Sequence, residues 1–361
     1  MRMFSRRLVL SMIALFVWTG CSKESSNQSA APAVPAAEEP VLNVYNWAEY
    51  ISPATLERFE KETGIRVNLS FYDSNETMLA KLEAGAREYD VAFPSDYMVQ
   101  IMIRKDLFLP LDKSLLSNAV HLDPMLLNQY YDSENKFSLP YMFGTTGIAI
   151  RTDKVTTKIE GWKDILMPAP ELKGQLSMLA DKRDVIGIAL KMKGYSINST
   201  NPKELEEAKA LLVAQKPFVK VYDSSSYKIN FESGEVKAGM AWGGDIASMY
   251  WKGNKNLKYI FPKEGGPIYS ENMVVLKHAP HPKNAHAFIN FLMRPQEAGE
   301  TTNTTFYATA NKDATPYIKP ELLADSSIFP PADVRPKLEY YRELGEADAL
   351  YERIWTELMV E

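Results

Sequence analysis

The sequence predicts an α/β protein built as two lobes, each an open, largely parallel sheet with helices on its faces. Three observations lead there. Strand and helix signals alternate from residue 41 onward, and residues 41–93 read as a βαβαβ run. The chain has 361 residues, enough for two separate cores even after an export segment is set aside. Cys21 is its one cysteine, so an internal disulfide, a cysteine nucleophile and a thiolate metal site are all excluded, and hydrophobic packing must hold the fold.

The first twenty residues carry an export signal. Arg2, Arg6 and Arg7 form a positive head, followed by the apolar run Leu8-Val-Leu-Ser-Met-Ile-Ala-Leu-Phe-Val-Trp18, too short to span a bilayer as a helix. Thr19-Gly20 then leads into Cys21, an arrangement that resembles the lipobox of bacterial lipoproteins, with Trp18 where that family usually has leucine. The resemblance implies cleavage before Cys21 and its acylation. Residues 22–40 lack large apolar side chains and read as a disordered tether. At roughly 3.3 Å per residue these would reach about 60 Å from a membrane. Removing residues 1–20 takes away three arginines and no acid, leaving 38 basic against 46 acidic side chains. That balance argues against nucleic acid and is compatible with a cationic ligand.

The folded part then unrolls in order. Residues 41–46 are strand-like; Ser52-Pro53 supplies an N-cap and a first-turn proline, Leu56 and Phe59 follow at helical spacing, and Gly64 ends the helix. Residues 65–71 alternate as a strand, Asn75 caps a helix ended by Gly85, and residues 90–93 form a short buried strand stopped by Pro94. Residues 140–150 look like an extended crossover. Strands follow at 175–179, 218–222, 238–242, 257–261 and 273–276, with helices at 185–193, 202–215 and 285–293 between and after them. The last fifty residues read as loops and helices, ending in a helix at 347–359.

Open α/β sheets bind ligands beyond the carboxyl ends of their strands. Several of those loops pair an aromatic with a carboxylate: Trp47-Ala48-Glu49-Tyr50, Pro94-Ser95-Asp96-Tyr97, Trp242-Gly-Gly-Asp245 and Tyr269-Ser270-Glu271. Asp181-Lys-Arg-Asp184 adds two more acids beyond another strand. A cleft that gathers them has aromatic walls and acidic ends. A sugar needs mixed donors and acceptors rather than so many carboxylates, and a metal needs no aromatic walls. An alkyl chain bearing ammonium groups needs both, since its methylenes pack on rings while each amine donates to carboxylates.

At these residues the chain resembles the periplasmic spermidine/putrescine-binding proteins of polyamine ABC transporters. The matching stretches are Tyr45-Asn-Trp-Ala-Glu-Tyr50, Phe59-Glu-Lys-Glu-Thr-Gly64, Asp73-Ser-Asn-Glu-Thr77, Pro262-Lys-Glu-Gly-Gly266, Phe306-Tyr-Ala-Thr-Ala-Asn-Lys312 and Pro330-Pro-Ala-Asp-Val-Arg335. The resemblance implies a type II periplasmic-binding fold, with lobe 1 at 41–145 plus 273–314 and lobe 2 at 146–272 plus 315–361. It implies that Trp47 and Tyr50 flank the alkyl chain and Glu49 takes an amine. Ser95 and Tyr97 would line one wall, and Asp181, Asp184, Trp242 and Asp245 would come from the second lobe. Tyr269 and Glu271 would lie near the hinge, and Tyr307 would close another face. Ala48 replaces a hydroxyl residue common in that loop, and Arg342 falls where a fixed cation would favour a shorter ligand. Asp181 with Asp184 suits a longer one, so putrescine, spermidine and norspermidine all stay open. No cofactor or metal is expected, and the chain is expected to be a monomer in the periplasm or at the cell surface. Its partner is an ABC permease or, alternatively, a membrane sensor that reads the ligand-loaded clamp.

Enzyme chemistry finds little support. His281 and His286 are not at i, i+4 spacing, so they form no helical zinc pair. Ser225-Ser226-Tyr227-Lys228 fits a bare S-x-x-K pattern without the further motifs that a serine acyl-enzyme needs.

Overall fold

The computed structural model describes residues 38–360; the export signal, Cys21 and nearly all of the tether lie outside the described residues. The alternation of strand and helix is carried by eleven strands among the described residues. They are β1 (Val41–Trp47), β2 (Arg66–Tyr72), β3 (Val91–Ala92), β4 (Ser138–Arg151), β5 (Leu176–Met178) and β6 (Val219–Tyr222). These are followed by β7 (Ala238–Trp242), β8 (Leu257–Ile260), β9 (Gly266–Val275), β10 (Ala308–Thr309) and β11 (Leu338–Tyr340). The order across the sheet is β2-β1-β3-β9-β4-β7-β5-β6, with β10 and β8 also on β4 and β11 on β9.

The opening βαβαβ run forms as its pattern dictates. β1 pairs in parallel with both β2 and β3, and helices Pro53–Thr63 and Asn75–Glu83 make the crossovers. Alternate residues serve opposite faces. Leu42 and Val44 pack with Phe59, Phe288 and Ile289, whereas Tyr45 packs with Met78, Met98 and Met102. Both faces of this sheet are therefore covered by helices.

β4 ties the two halves together. Ser138 to Thr145 pair antiparallel with β9, and from Thr146 onward the same strand pairs with β7 and β8. Beyond that change of partner lies a second core, in which Trp162, Met178, Met240, Tyr227, Phe231, Tyr351 and Leu358 are buried. The closing helix Asp348–Val360 packs there against helices Lys182–Met192 and Pro202–Gln215. Trp242, at the end of β7, packs partly buried against both this core and that of β1.

Local expectations hold with instructive exceptions. Gly64 ends its helix at φ 72°, a left-handed conformation that glycine adopts without steric cost. Ser52 occupies the N-cap position, but its hydroxyl meets Glu300 at 3.1 Å instead of capping. Ser74 takes the cap expected of Asn75, accepting from the Thr77 amide. β9 begins at Gly266, earlier than its apolar end at 273–276 indicates, because its polar middle, Tyr269-Ser-Glu-Asn272, is buried between β3, β4 and neighbouring loops.

Candidate functional site

Loops following β1, β3, β5 and β7 meet the middle of β9, and most of the aromatic and acidic side chains expected from the sequence converge there. Glu271 projects from β9 and is 3 % exposed. The Ser95 hydroxyl lies 3.0 and 3.1 Å from its two carboxylate oxygens, and the Trp47 indole N–H donates to Oε2 at 3.1 Å. Burial pushes its pKa up to about 8; Ser95 and Trp47 pull it down, and the nearby Asp96 charge adds to the rise. Asp96 itself accepts from the backbone amides of Tyr97 and Ser270, and burial raises it to about 7.

A second carboxylate, Asp184, is equally buried. Its Oδ1 accepts from the hydroxyls of Thr146, at 2.9 Å, and Tyr341, and its Oδ2 accepts from the Trp242 indole at 3.3 Å. Burial, reinforced by Asp181, pushes its pKa up to about 7. Asp181 caps helix Lys182–Met192 by accepting from the amides of Arg183 and Asp184. Among the described residues, neither Glu271 nor Asp184 forms an ion pair.

The third acidic position differs. Asp245 accepts from the hydroxyls of Tyr227 at 2.8 Å and Tyr307 at 3.2 Å, with the Lys228 ammonium 3.8 Å away. Glu49, in a left-handed turn at φ 62° and 69 % exposed, binds that ammonium at 3.1 Å. The Lys228 hydrogen bond, then its charge, holds the Glu49 carboxyl below its ordinary pKa.

Rings connect these acids. Trp47 lies 6.0 Å from Tyr50 and 4.7 Å from Tyr72; Tyr50 lies 5.1 Å from Tyr307. Tyr50 thus links Trp47, which bonds Glu271, to Tyr307, which bonds Asp245; burial keeps its phenol well above its ordinary pKa, with the charges of both acids adding to the rise. Tyr307 packs where a side chain on Gly244 would strike its ring, a close approach only glycine permits. Tyr269 is 9 % exposed, and among the described residues its hydroxyl has no hydrogen-bond partner.

Two expected residues stand at the margin. Tyr97 donates to Glu76 and accepts from Asn75. Arg342 is exposed over the Tyr130 ring at 5.4 Å, while its neighbour Tyr341 reaches Asp184. Sequence reasoning does not place Asn75, Thr146, Tyr227, Lys228 or Tyr341 in a ligand site. Asn75, expected as a helix cap, instead holds Ser95 at two points, its Nδ2 donating to Oγ at 2.9 Å and its Oδ1 accepting from the backbone amide at 3.1 Å.

Comparison with known proteins agrees with this architecture. The model for the bacterial extracellular solute-binding protein family matches residues 54–330. The spermidine/putrescine-binding periplasmic protein of Salmonella typhimurium is 38 % identical over 330 residues, covering 90 % of this chain and 93 % of that protein. Among solved structures, the spermidine/putrescine ABC transporter substrate-binding protein PotD of Streptococcus pneumoniae superposes with a TM-score of 0.81 at 33 % identity, covering 89 % of this chain and 98 % of the other. The Tp0655 (TpPotD) lipoprotein of Treponema pallidum gives 0.81 at 28 % identity, covering 88 % and 99 %. The fold is the type II periplasmic-binding arrangement, two α/β lobes with a hinge and a ligand cleft between them. With the family model matching residues 54–330 and a relative 38 % identical over 330 residues, the chain belongs to the bacterial extracellular solute-binding protein family.

Proposed function

We propose that the chain binds a small polyamine between its lobes, without chemistry on it, and delivers it to an ABC permease. The observation that carries this reading is the pair of buried carboxylates, Glu271 and Asp184, which have no protein cation among the described residues yet are held in place by Ser95, Trp47, Thr146, Trp242 and Tyr341. A buried carboxylate without a countercharge is costly. Ligand ammonium groups remove that cost, and aromatic faces of Trp47, Tyr50, Trp242 and Tyr307 suit the methylenes between them. The Tyr269 hydroxyl, without a partner among the described residues, is a further acceptor for an amine N–H. Ser95 and Tyr97 complete one wall; Glu49 and Asp245 form an acidic mouth, Asp181 adds charge beside Asp184, and Arg342 bounds the far end. The relatives named above for spermidine and putrescine support the same ligand class.

We further propose that the lobes comprise 41–145 plus 273–314 and 146–272 plus 315–361; the change of β4 partners between Thr145 and Thr146 supports the first boundary, whereas the one at 272/273 falls within β9, whose residues Ile268 to Asn272 pair with β4 before that change. The chain acts as a monomer, tethered outside the cytoplasm through acylated Cys21. The Treponema relative's designation as a lipoprotein supports that anchor, and no described helix is long and apolar enough to cross a membrane. Calorimetry with putrescine, cadaverine, norspermidine, spermidine and spermine tests the ligand class. Saturable one-to-one binding of at least one is expected, and no heat with any would overturn the reading. Polyamine uptake lost on deleting the gene supports delivery to a permease; unchanged uptake points to the sensor partner instead.

The raised acids make a pH prediction. Glu271 and Asp184 retain protons up to about 8 and about 7, and an arriving ammonium favours their charged forms. Binding at pH 7 is therefore expected to release protons, and affinity to fall as pH drops through about 8 and then about 7. Calorimetry in two buffers of different ionisation enthalpy measures this directly. Identical heats in both buffers would contradict it.

A further inference from the structure

Lys228 lies in the S-x-x-K stretch that the solute-binding reading leaves unused. Its neighbour Tyr227 is fully buried and donates to Asp245. That contact fixes the start of helix Tyr227–Ser233 against the site and points the next side chain at its mouth. The Lys228 ammonium sits 3.1 Å from Glu49, which follows β1, and 3.8 Å from Asp245, which follows β7. Its side chain is only 32 % exposed. Burial acts to lower its pKa, but Asp245 and Glu49 outweigh that and raise it, so it is a permanent cation at neutral pH.

Charge matching follows from this placement. Of the acids around the rings, Asp96 is satisfied by two backbone amides and Asp181 by its helix cap. Glu49 and Asp245 share Lys228. Apart from the exposed Glu76, which accepts from Tyr97, two carboxylates remain beside the aromatic walls without a cation among the described residues, the buried Glu271 and Asp184. A third ammonium would have to lie beside that of Lys228, against like-charge repulsion in a poorly solvated place.

We propose that Lys228 is the specificity-determining residue of the site, a built-in ammonium that occupies the acidic mouth and makes the protein select diamines over triamines. This rests on the polyamine reading above. The test is calorimetry of the wild-type protein and of Lys228→Met and Lys228→Arg with putrescine and spermidine, the melting temperature of each variant being followed alongside. Wild type is expected to bind putrescine at least tenfold more tightly than spermidine. Lys228→Met is expected to cut that ratio by tenfold or more through tighter spermidine binding, and Lys228→Arg to preserve it.

A wild-type preference for spermidine overturns the proposal, as does an unchanged ratio in Lys228→Met. Equal weakening of both ligands in Lys228→Met also overturns it, marking Lys228 as a clasp between Glu49 and Asp245 instead. If Lys228→Met does not fold, Lys228→Gln takes its place under the same criteria. Absence of binding by either amine to wild type overturns the polyamine reading and this proposal together, whereas binding with the wrong ratio overturns only the proposal.

Discussion

Replacing Glu271 by glutamine is expected to weaken polyamine binding by a hundredfold or more while leaving the protein folded. Glutamine keeps the shape of the side chain, can accept from the Trp47 indole and can donate to the Ser95 hydroxyl, so the local bonds survive. What disappears is a charge that the ligand must find in a buried place. Removing one partner of a buried, hydrogen-bonded charge pair costs about 2–5 kcal/mol, the upper part of which corresponds to two or more powers of ten in affinity. The same substitution has the opposite effect on the unliganded protein. Because the folded-state pKa of Glu271 is raised to about 8, its proton is favoured by folding. Its contribution to stability is therefore complete below the ordinary carboxylate range and is lost as pH rises toward 8. Glu271→Gln removes that loss, so its melting temperature without ligand is expected to exceed that of wild type at pH 8 and to converge with it at pH 4–5. Wild-type affinity in this variant would refute the site.

Trp242→Ala carries the other large effect. This residue supplies a ring face, orients Asp184 through its indole N–H, and packs against the cores on both sides of the cleft. The Tyr227 ring stands edge-on to it at 5.8 Å, so removing it also frees the donor to Asp245. Binding is expected to fall by at least a hundredfold, combining lost cation–π contact of up to about 2 kcal/mol with lost apolar burial. Trp242→Phe separates the contributions. It retains a ring but not the N–H, and a loss nearer tenfold is expected by calorimetry. Equal losses in the two variants would assign the whole effect to the Asp184 hydrogen bond.

The parts of this molecule legible in the sequence are those governed by local rules. Helix Pro202–Gln215 and strand Ala238–Trp242 lie where their periodicity and proline or glycine boundaries put them. The acidic and aromatic residues at strand ends were legible as candidates because parallel sheets present those loops on one edge. Less legible was what each side chain does once the chain folds. Asp181 is devoted to a helix cap and Asp96 to two backbone amides, whereas Thr146 and Tyr341, unremarkable in sequence, reach Asp184 from far along the chain. Lys228 belongs to the same class. Nothing in Ser225-Ser-Tyr-Lys228 announces a partner 179 residues away, and only the placement of the helix after β6 against the loop after β1 creates it. Local motifs specify elements, but charge pairing depends on topology.

One strand, β4, gives the clamp its mechanical character. Met142 registers with Glu271, and Thr146, four residues on, registers with Trp242. At about 3.3 Å per residue these stations are about 13 Å apart along a single stiff ribbon. The ribbon thus acts as a gauge, holding the Glu271 and Trp242 stations at a fixed separation on one continuous strand.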